Sequence, residues 1–253
     1  MEPINIFAAD AIRNDLERAL MILAQSRGTS VETIKQTYNI TPFLCLMAVY
    51  LNTTSSTYSF HPRGGVDPAV PGTALLDQND VFIFNQLGLR FGRCAYASNT
   101  PSNHGIYPKL TYPDPNYFTG TGTTAGDESD QLKEIVNGYL DLKVSGQAVI
   151  DKLACSELVF NPDATFTSSP EALPAYGGSP GYRGLSKLDP TFIIDGMNDN
   201  EFTVQLANGP KGNIDGNIST GTTDSGVRNI LYIAAAGWKL KNFANGSKAI
   251  ACS

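Results

Sequence analysis

The sequence predicts a mainly β protein, a jelly-roll-like antiparallel β-sandwich that follows an N-terminal helical arm. From residue 43 onward, apolar residues alternate with a period of two, in short segments bounded by Gly, Pro, Asn and Asp. Before that point, apolar residues recur at helical spacing. The chain has 253 residues, 42% of them hydrophobic, which suffices for one large core or two modest ones.

Residues 1–42 are predicted to form the helical arm. The apolar residues of its first helix are Ile12, Leu16, Leu20, Ile22 and Leu23. Gly28 ends this pattern, and the segment Thr29–Glu32 fits a capping box that opens a second, shorter helix to Tyr38. An amphipathic helix outside a β domain needs a surface to pack against. The arm, or alternatively the loop 161–189, is therefore expected to reach a neighbouring subunit.

Residues 43–253 are predicted to form the β-sandwich domain. Its candidate strands are 43–51, 57–60, 81–91, 139–144, 148–153, 191–195, 201–206, 228–235 and 238–243. Ser145-Gly146 is predicted to close a tight hairpin, and Ala235–Gly237 to turn the last two strands. Residues 127–138 read as a helix, and 161–189 as a Pro- and Gly-rich loop that is too long for a plain connection. Helices and strands do not alternate, which argues against a doubly wound sheet.

Composition excludes several classes of function. The formal net charge is -6, and the arm mixes acidic with basic residues, so we expect no direct sequence-specific binding of nucleic acid. Four widely spaced cysteines give neither a zinc knuckle nor a convincing disulfide framework, and they are expected to be buried thiols. No apolar stretch reaches the length of a membrane helix and no signal sequence is evident, so we expect folding in a cytoplasm and no membrane partner.

One segment matches a catalytic motif. Residues 177–181 read GGSPG, the G-x-S-x-G pattern of a hydrolase nucleophile. Pro180 has no N–H to stabilise an oxyanion, and the only histidines, His61 and His104, precede Ser179 in the chain although the motif needs its base after the serine. We therefore predict a surface loop, no catalytic residues and no enzyme activity.

The stretch IIDGMNDNEFTVQL, residues 193–206, has two interpretations. Asp195, Asn198, Asp199 and Glu201 offer oxygen ligands that suit calcium, although the spacing lacks the full EF-hand pattern. The favoured interpretation is the tip of a hairpin, because Asn and Asp tolerate turn geometry and Phe202, Val204 and Leu206 then alternate as in a strand. No cofactor is predicted other than this calcium alternative.

The order of segments resembles that of virion structural proteins of bacteriophages, including crAss-like and related gut phages. The resemblance covers roughly Ala8 to Phe160 and rests on the helical arm followed by LNTTSSTYSF, NDVFIFNQLGLRFGR, LTYPDPNYF and NGYLDLKV. It implies a jelly-roll-like capsid or capsid-associated subunit, located in the virion and assembled in the host cytoplasm. Its partners would be copies of itself and other virion proteins.

Two functions are therefore expected. The first is a structural subunit of a phage particle, which acts by self-assembly or by attachment to the capsid. The second is a β-sandwich binding module that recognises carbohydrate or protein through its loops. An assembly subunit forms large symmetric oligomers and a binding module does not, so the mass of the purified protein separates the two.

Overall fold

A computed structural model shows two antiparallel sheets that pack as a sandwich. It describes residues 6–63, 75–97, 100–102, 109–114, 118, 127–160, 184–211, 214 and 225–242. The helices are α1 (Ile6–Ser26), α2 (Val31–Thr37), α3 (Asp127–Val136) and a short 3-10 helix (Cys155–Leu158). The strands are β1 (Tyr38–Tyr50), β2 (Thr57–Phe60), β3 (Asp80–Ala97), β4 (Thr100–Ser102), β5 (Tyr139–Val144), β6 (Gln147–Ala154), β7 (Ser186–Asp195), β8 (Asn200–Gln205) and β9 (Ser225–Asn242).

The strands pair in a nested order. Sheet A runs β1-β9-β3, with β7 and the short β4 both on the free side of β3, and sheet B runs β2-β8-β5-β6. All of these pairs are antiparallel. If the short β4 is left out, β1 pairs with β9, β2 with β8, β3 with β7, and β5 with β6. The first strand thus pairs with the last, and each later strand with the corresponding earlier one from the other end. The chain is thus a long hairpin, with its tip at the β5–β6 turn, that has folded over into two sheets.

Aromatic side chains fill the space between the sheets. Phe82 and Phe84 stack on the inner face of β3, with their ring centroids 5.3 Å apart. Phe84 also contacts Phe202 of β8 at 6.0 Å, which joins sheet A to sheet B. All three are at most 1% exposed, and rings of this size dominate the apolar area that a core buries. The mainly β, two-sheet sandwich predicted from the sequence is therefore confirmed.

Strand β3 changes phase at a β-bulge next to Asn85. Before the bulge, Val81 and Ile83 lie on the outer face of sheet A. Both are fully buried although they face away from the sandwich core, because helix α1 packs on them. This explains why the run Val81–Phe84 is apolar at every position instead of alternating.

The two N-terminal helices lie against sheet A. Ala19, Leu20, Leu23 and Ala24 of α1 are buried with Ile34 of α2 in a second cluster that includes the outer face of β3 and Leu240 of β9. The N-cap of α2 is Ser30, one residue after the predicted cap Thr29: Ser30 Oγ accepts a hydrogen bond from the Thr33 N–H at 3.1 Å. Strand β1 follows α2 directly at Tyr38, five residues before the predicted first strand.

The predicted turn at Ala235–Gly237 is wrong, because β9 runs unbroken through it. The small residues Ala234, Ala235 and Ala236 are buried where β9 passes between β1 and β3, and Gly237 lies beside the bulge of β3. A Cβ atom at Gly237 would lie 2.0 Å from the carbonyl oxygen of Ile83. Small side chains at these positions permit the close approach of two strands. In the sequence alone, the same small residues resemble a turn.

Candidate functional site

The turn between β7 and β8 carries the site residues that the sequence singles out. A turn is present, since the Asn198 N–H donates to the Asp195 carbonyl oxygen at 3.0 Å. It does not close a hairpin, and this part of the prediction is wrong. Strand β7 pairs with β3 in sheet A, whereas β8 pairs with β2 and β5 in sheet B. Alternation in the flanking strands is the same in both cases, so the sequence does not distinguish a hairpin from a crossing between sheets.

Hydrogen bonds hold the backbone of this turn in one shape. Asp195 Oδ1 accepts from the Met197 N–H at 3.0 Å, and the Gly196 N–H donates to the Asp80 carbonyl oxygen at 2.8 Å. Asn200 Nδ2 donates to the carbonyl oxygens of Asp195, at 2.7 Å, and of Asn198, at 3.1 Å. A Cβ atom at Gly196 would lie 2.2 Å from a neighbouring carbonyl oxygen, so the turn packs tightly on the segment before β3.

Helix α1 also supports the turn. Arg27, just beyond the end of α1, pairs with Asp195, with Nη2 and Oδ2 2.5 Å apart, and also hydrogen-bonds the Tyr38 hydroxyl. Asp15, nearer the start of α1, accepts from Asn85 Nδ2 at 3.0 Å and lies 3.2 Å from the ammonium group of Lys187. The helix is therefore tied by polar contacts at two places, in addition to its apolar face.

The four residues of the calcium alternative do not share one arrangement. Asp195 is engaged by Arg27, and Glu201 lies on β8 opposite Lys143 of β5. Of these four residues, only Asn198 and Asp199 line a common cleft. Within the described ranges, no group of three or more His, Cys, Asp or Glu side chains could hold a metal ion.

A cleft of about 320 Å³ opens beside the turn. Met197, Asn198, Asp199 and Asn200 line it from the turn; His61 and Arg63 line it from the segment that follows β2. In the sequence, His61 stands out only as a potential catalytic base, and Arg63 belongs to no motif. The two segments are remote in the chain, and β2 and β8 bring them together because they are neighbours in sheet B.

Three charged or titratable side chains of this cleft have no hydrogen-bond or ion-pair partner among the described residues. In the described part of the chain, His61, Arg63 and the carboxylate of Asp199 make no side-chain hydrogen bond or ion pair. Asn200 is buried, and its Oδ1 has no hydrogen-bond partner there. Arg27 and Arg93 by contrast are both paired with carboxylates. The cleft thus presents a guanidinium group, an imidazole and a carboxylate that are available to a ligand.

A second polar cluster has a structural explanation. Arg93 of β3 pairs with the buried Glu128 of α3, and its Nε donates to Asn229 Oδ1 at 3.3 Å. Asn229 Nδ2 of β9 donates in turn to Glu128 Oε1 at 2.7 Å and to the Ile214 carbonyl oxygen at 3.0 Å. These groups satisfy one another and fix α3 to the end of sheet A.

The described cysteines are not reactive groups. Cys45 and Cys155 are both free and buried, as the sequence predicts. Burial raises the pKa of each thiol to about 12, which keeps it protonated and a poor nucleophile. The side chains of Cys94 and Cys252 lie outside the described residues, as do Ser179 and most of the predicted loop 161–189.

Comparison with known proteins gives no relative. Among the described residues, no helix is long and apolar enough to span a membrane. No protein-family model, no curated protein and no solved structure matches this chain.

Proposed function

We propose that this chain is a structural subunit of a phage particle, which acts by self-assembly or by attachment to a capsid. The observation that carries the proposal is the nested pairing of eight strands in two sheets. Pairing of first with last strand, and so on to a central hairpin, is the order expected of a jelly roll. Viral capsid subunits are among the proteins that use the jelly roll, which is the fold that the resemblance to phage virion proteins implies.

The two outer faces of the sandwich differ, which suits a subunit of a shell. Helix α1 covers part of the outer face of sheet A, and it exposes Met21 and Ile22 on its own outer surface. The outer face of sheet B carries polar residues that pair across strands, such as Asp141 with Thr203 and Lys143 with Glu201. An apolar pair on one side and a polar sheet on the other give the subunit two distinct surfaces for contacts with neighbours.

Assembly is tested by the mass of the purified full-length chain. Light scattering and electron microscopy should find large symmetric oligomers, alone or after mixing with other virion proteins. Met21→Asp together with Ile22→Asp should lower the oligomeric order, because a charge at an apolar contact is costly to bury. Asn14→Asp, an exposed position on the same helix, is the matched control. A chain that stays monomeric alone and in these mixtures contradicts the proposal.

A second candidate function is a binding module that recognises carbohydrate through its loops. The cleft beside the β7–β8 turn favours it, because its lining is polar, its turn is held in place, and three of its functional groups are uncommitted. Jelly rolls also serve as lectin domains, so the proposed fold is compatible with both functions. A monomeric chain that binds a sugar would support this candidate and exclude assembly as the main role.

A further inference from the structure

We propose that the cleft beside the β7–β8 turn binds a sugar residue that carries a carboxylate, such as a uronic or sialic acid. This inference rests on the second candidate function and deepens it. It is independent of the assembly proposal, because a particle subunit needs no such cleft. Its basis is the set of hydrogen-bonding groups that the fold brings together around one volume.

The segment after β2 supplies the groups for the carboxylate. Arg63 is exposed and makes no ion pair with any described residue, so its five N–H donors are available. A guanidinium group binds a carboxylate through two parallel hydrogen bonds, which makes it suited to this anion. His61, two residues earlier, lines the same cleft and adds an imidazole N–H donor.

The turn supplies the groups for hydroxyls. Asp199 offers a carboxylate that only accepts hydrogen bonds, and Asn198 offers an amide that both donates and accepts. Asn200, which also lines the cleft, has a buried Oδ1 without a partner among the described residues. Buried acceptors are normally satisfied by an O–H or an N–H donor. An anion without an O–H group, such as sulfate, has no use for these acceptors, whereas a polyhydroxylated acid uses both sides of the cleft.

The size and rigidity of the cleft fit one sugar unit. Its volume of about 320 Å³ is at the lower end for small-molecule sites, which leaves room for a single ring. Met197 lies at the rim as an exposed apolar side chain, able to cover the apolar face of a ring. The turn is already held by Asp195, Asn200 and Arg27, so binding need not order it, and this preserves affinity.

Binding is tested on the full-length chain by ligand-observed NMR titration with glucuronic acid, N-acetylneuraminic acid, glucose and a short acidic peptide. We expect one or both acidic sugars to bind with a Kd on the order of millimolar, and glucose to bind at least about tenfold more weakly, because it lacks the carboxylate. Arg63→Ala should weaken the acidic sugar about tenfold or more, and Arg63→Lys by less, since it keeps the charge and loses the paired donors.

Matched variants separate the cleft from general charge effects. Arg18→Ala removes another exposed arginine, on α1, and should leave binding unchanged. Asp199→Ala should weaken the acidic sugar even though it makes the cleft less negative, because both carboxylate oxygens that accept from hydroxyls are lost. The inference is overturned if no acidic sugar binds, if glucose or the acidic peptide binds equally well, or if Arg63→Ala and Arg18→Ala behave alike. The oligomer mass, measured on the same samples, reports separately on assembly.

Discussion

Gly237→Ala should destabilise the protein strongly, because two strands approach closely at this position. The added Cβ would lie 2.0 Å from the Ile83 carbonyl oxygen and 2.7 Å from Phe84 Cα, whereas real Cβ contacts essentially never fall below 3.0 Å. Strands β3 and β9 must therefore separate by about 1 Å, which stretches a normal hydrogen bond of about 2.9 Å past its useful range. Overpacking of about 1–3 kcal/mol and the loss of about two such bonds together predict a decrease of about 3–5 kcal/mol in the free energy of unfolding.

Urea unfolding measures this decrease, with the fluorescence of Trp238 as a local probe and circular dichroism as a global one. Trp238 is the only tryptophan of the chain and follows Gly237 directly. Gly28→Ala is the control: Gly28 has a positive φ of 62° but nothing within 4 Å of an added Cβ, so only a backbone cost of about 1–2 kcal/mol is expected. If Gly237→Ala costs no more than Gly28→Ala, strands β3 and β9 do not approach as closely as this reasoning requires.

Three further predictions concern packing and reactivity. Leu20→Ala should lower the free energy of unfolding by about 2–4 kcal/mol, because this side chain is fully buried against sheet A. Ile22 is exposed on the same helix, so Ile22→Ala should change the free energy of unfolding by less than about 0.5 kcal/mol. Equal effects of the two substitutions in urea unfolding would contradict the placement of α1. Glu128→Ala should cost about 3–5 kcal/mol in the same assay, because it removes a buried carboxylate that pairs with Arg93 and accepts a hydrogen bond from the buried Asn229 side chain. A loss below about 1 kcal/mol would refute this. Cys45 and Cys155 should resist iodoacetamide at pH 8 in the folded protein and react in urea, because a pKa of about 12 keeps both protonated until the pH rises well beyond 9. Peptide mass spectrometry measures the labelling of each cysteine, and rapid labelling of either one in the folded state would contradict this prediction.

Much of the secondary structure could be predicted from local patterns. Strands β2 and β5 have the predicted bounds, because alternation and turn residues mark both of their ends. The unbroken strand β9 was not predicted, since Ala235–Gly237 resembles a turn when the neighbouring strands are unknown. The amphipathic pattern of α1 indicates that one face is buried but not what buries it, so the sequence could not show that Leu20 and Leu23 pack on the chain's own sheet.

The candidate site was predictable only in the part that is contiguous in sequence. Asn198 and Asp199 stand out because polar turn residues cluster between two apolar segments. His61 and Arg63 carry no such signal, because their role depends on the pairing of β2 with β8. Alternation determines which face of a strand is buried but not which strand lies next to it, so a cleft built by two distant segments follows only from the tertiary structure.

The position of β9 between β1 and β3 has a consequence for folding kinetics. Most of the strand pairs join segments that are far apart in the chain, and among the described strands only β3 with the short β4, and β5 with β6, pair locally. Strand β9 lies between β1 and β3, so sheet A has no central strand until residues 225–242 have been synthesised. Until then, the edges of β1 and β3 that pair with β9 are unpaired and exposed. Chains dominated by such distant contacts fold slowly, because the entropy of closing long loops is lost before the contacts form. The last strand therefore completes the sheet that the first strand begins, and the interval before it arrives is the period of greatest exposure to aggregation.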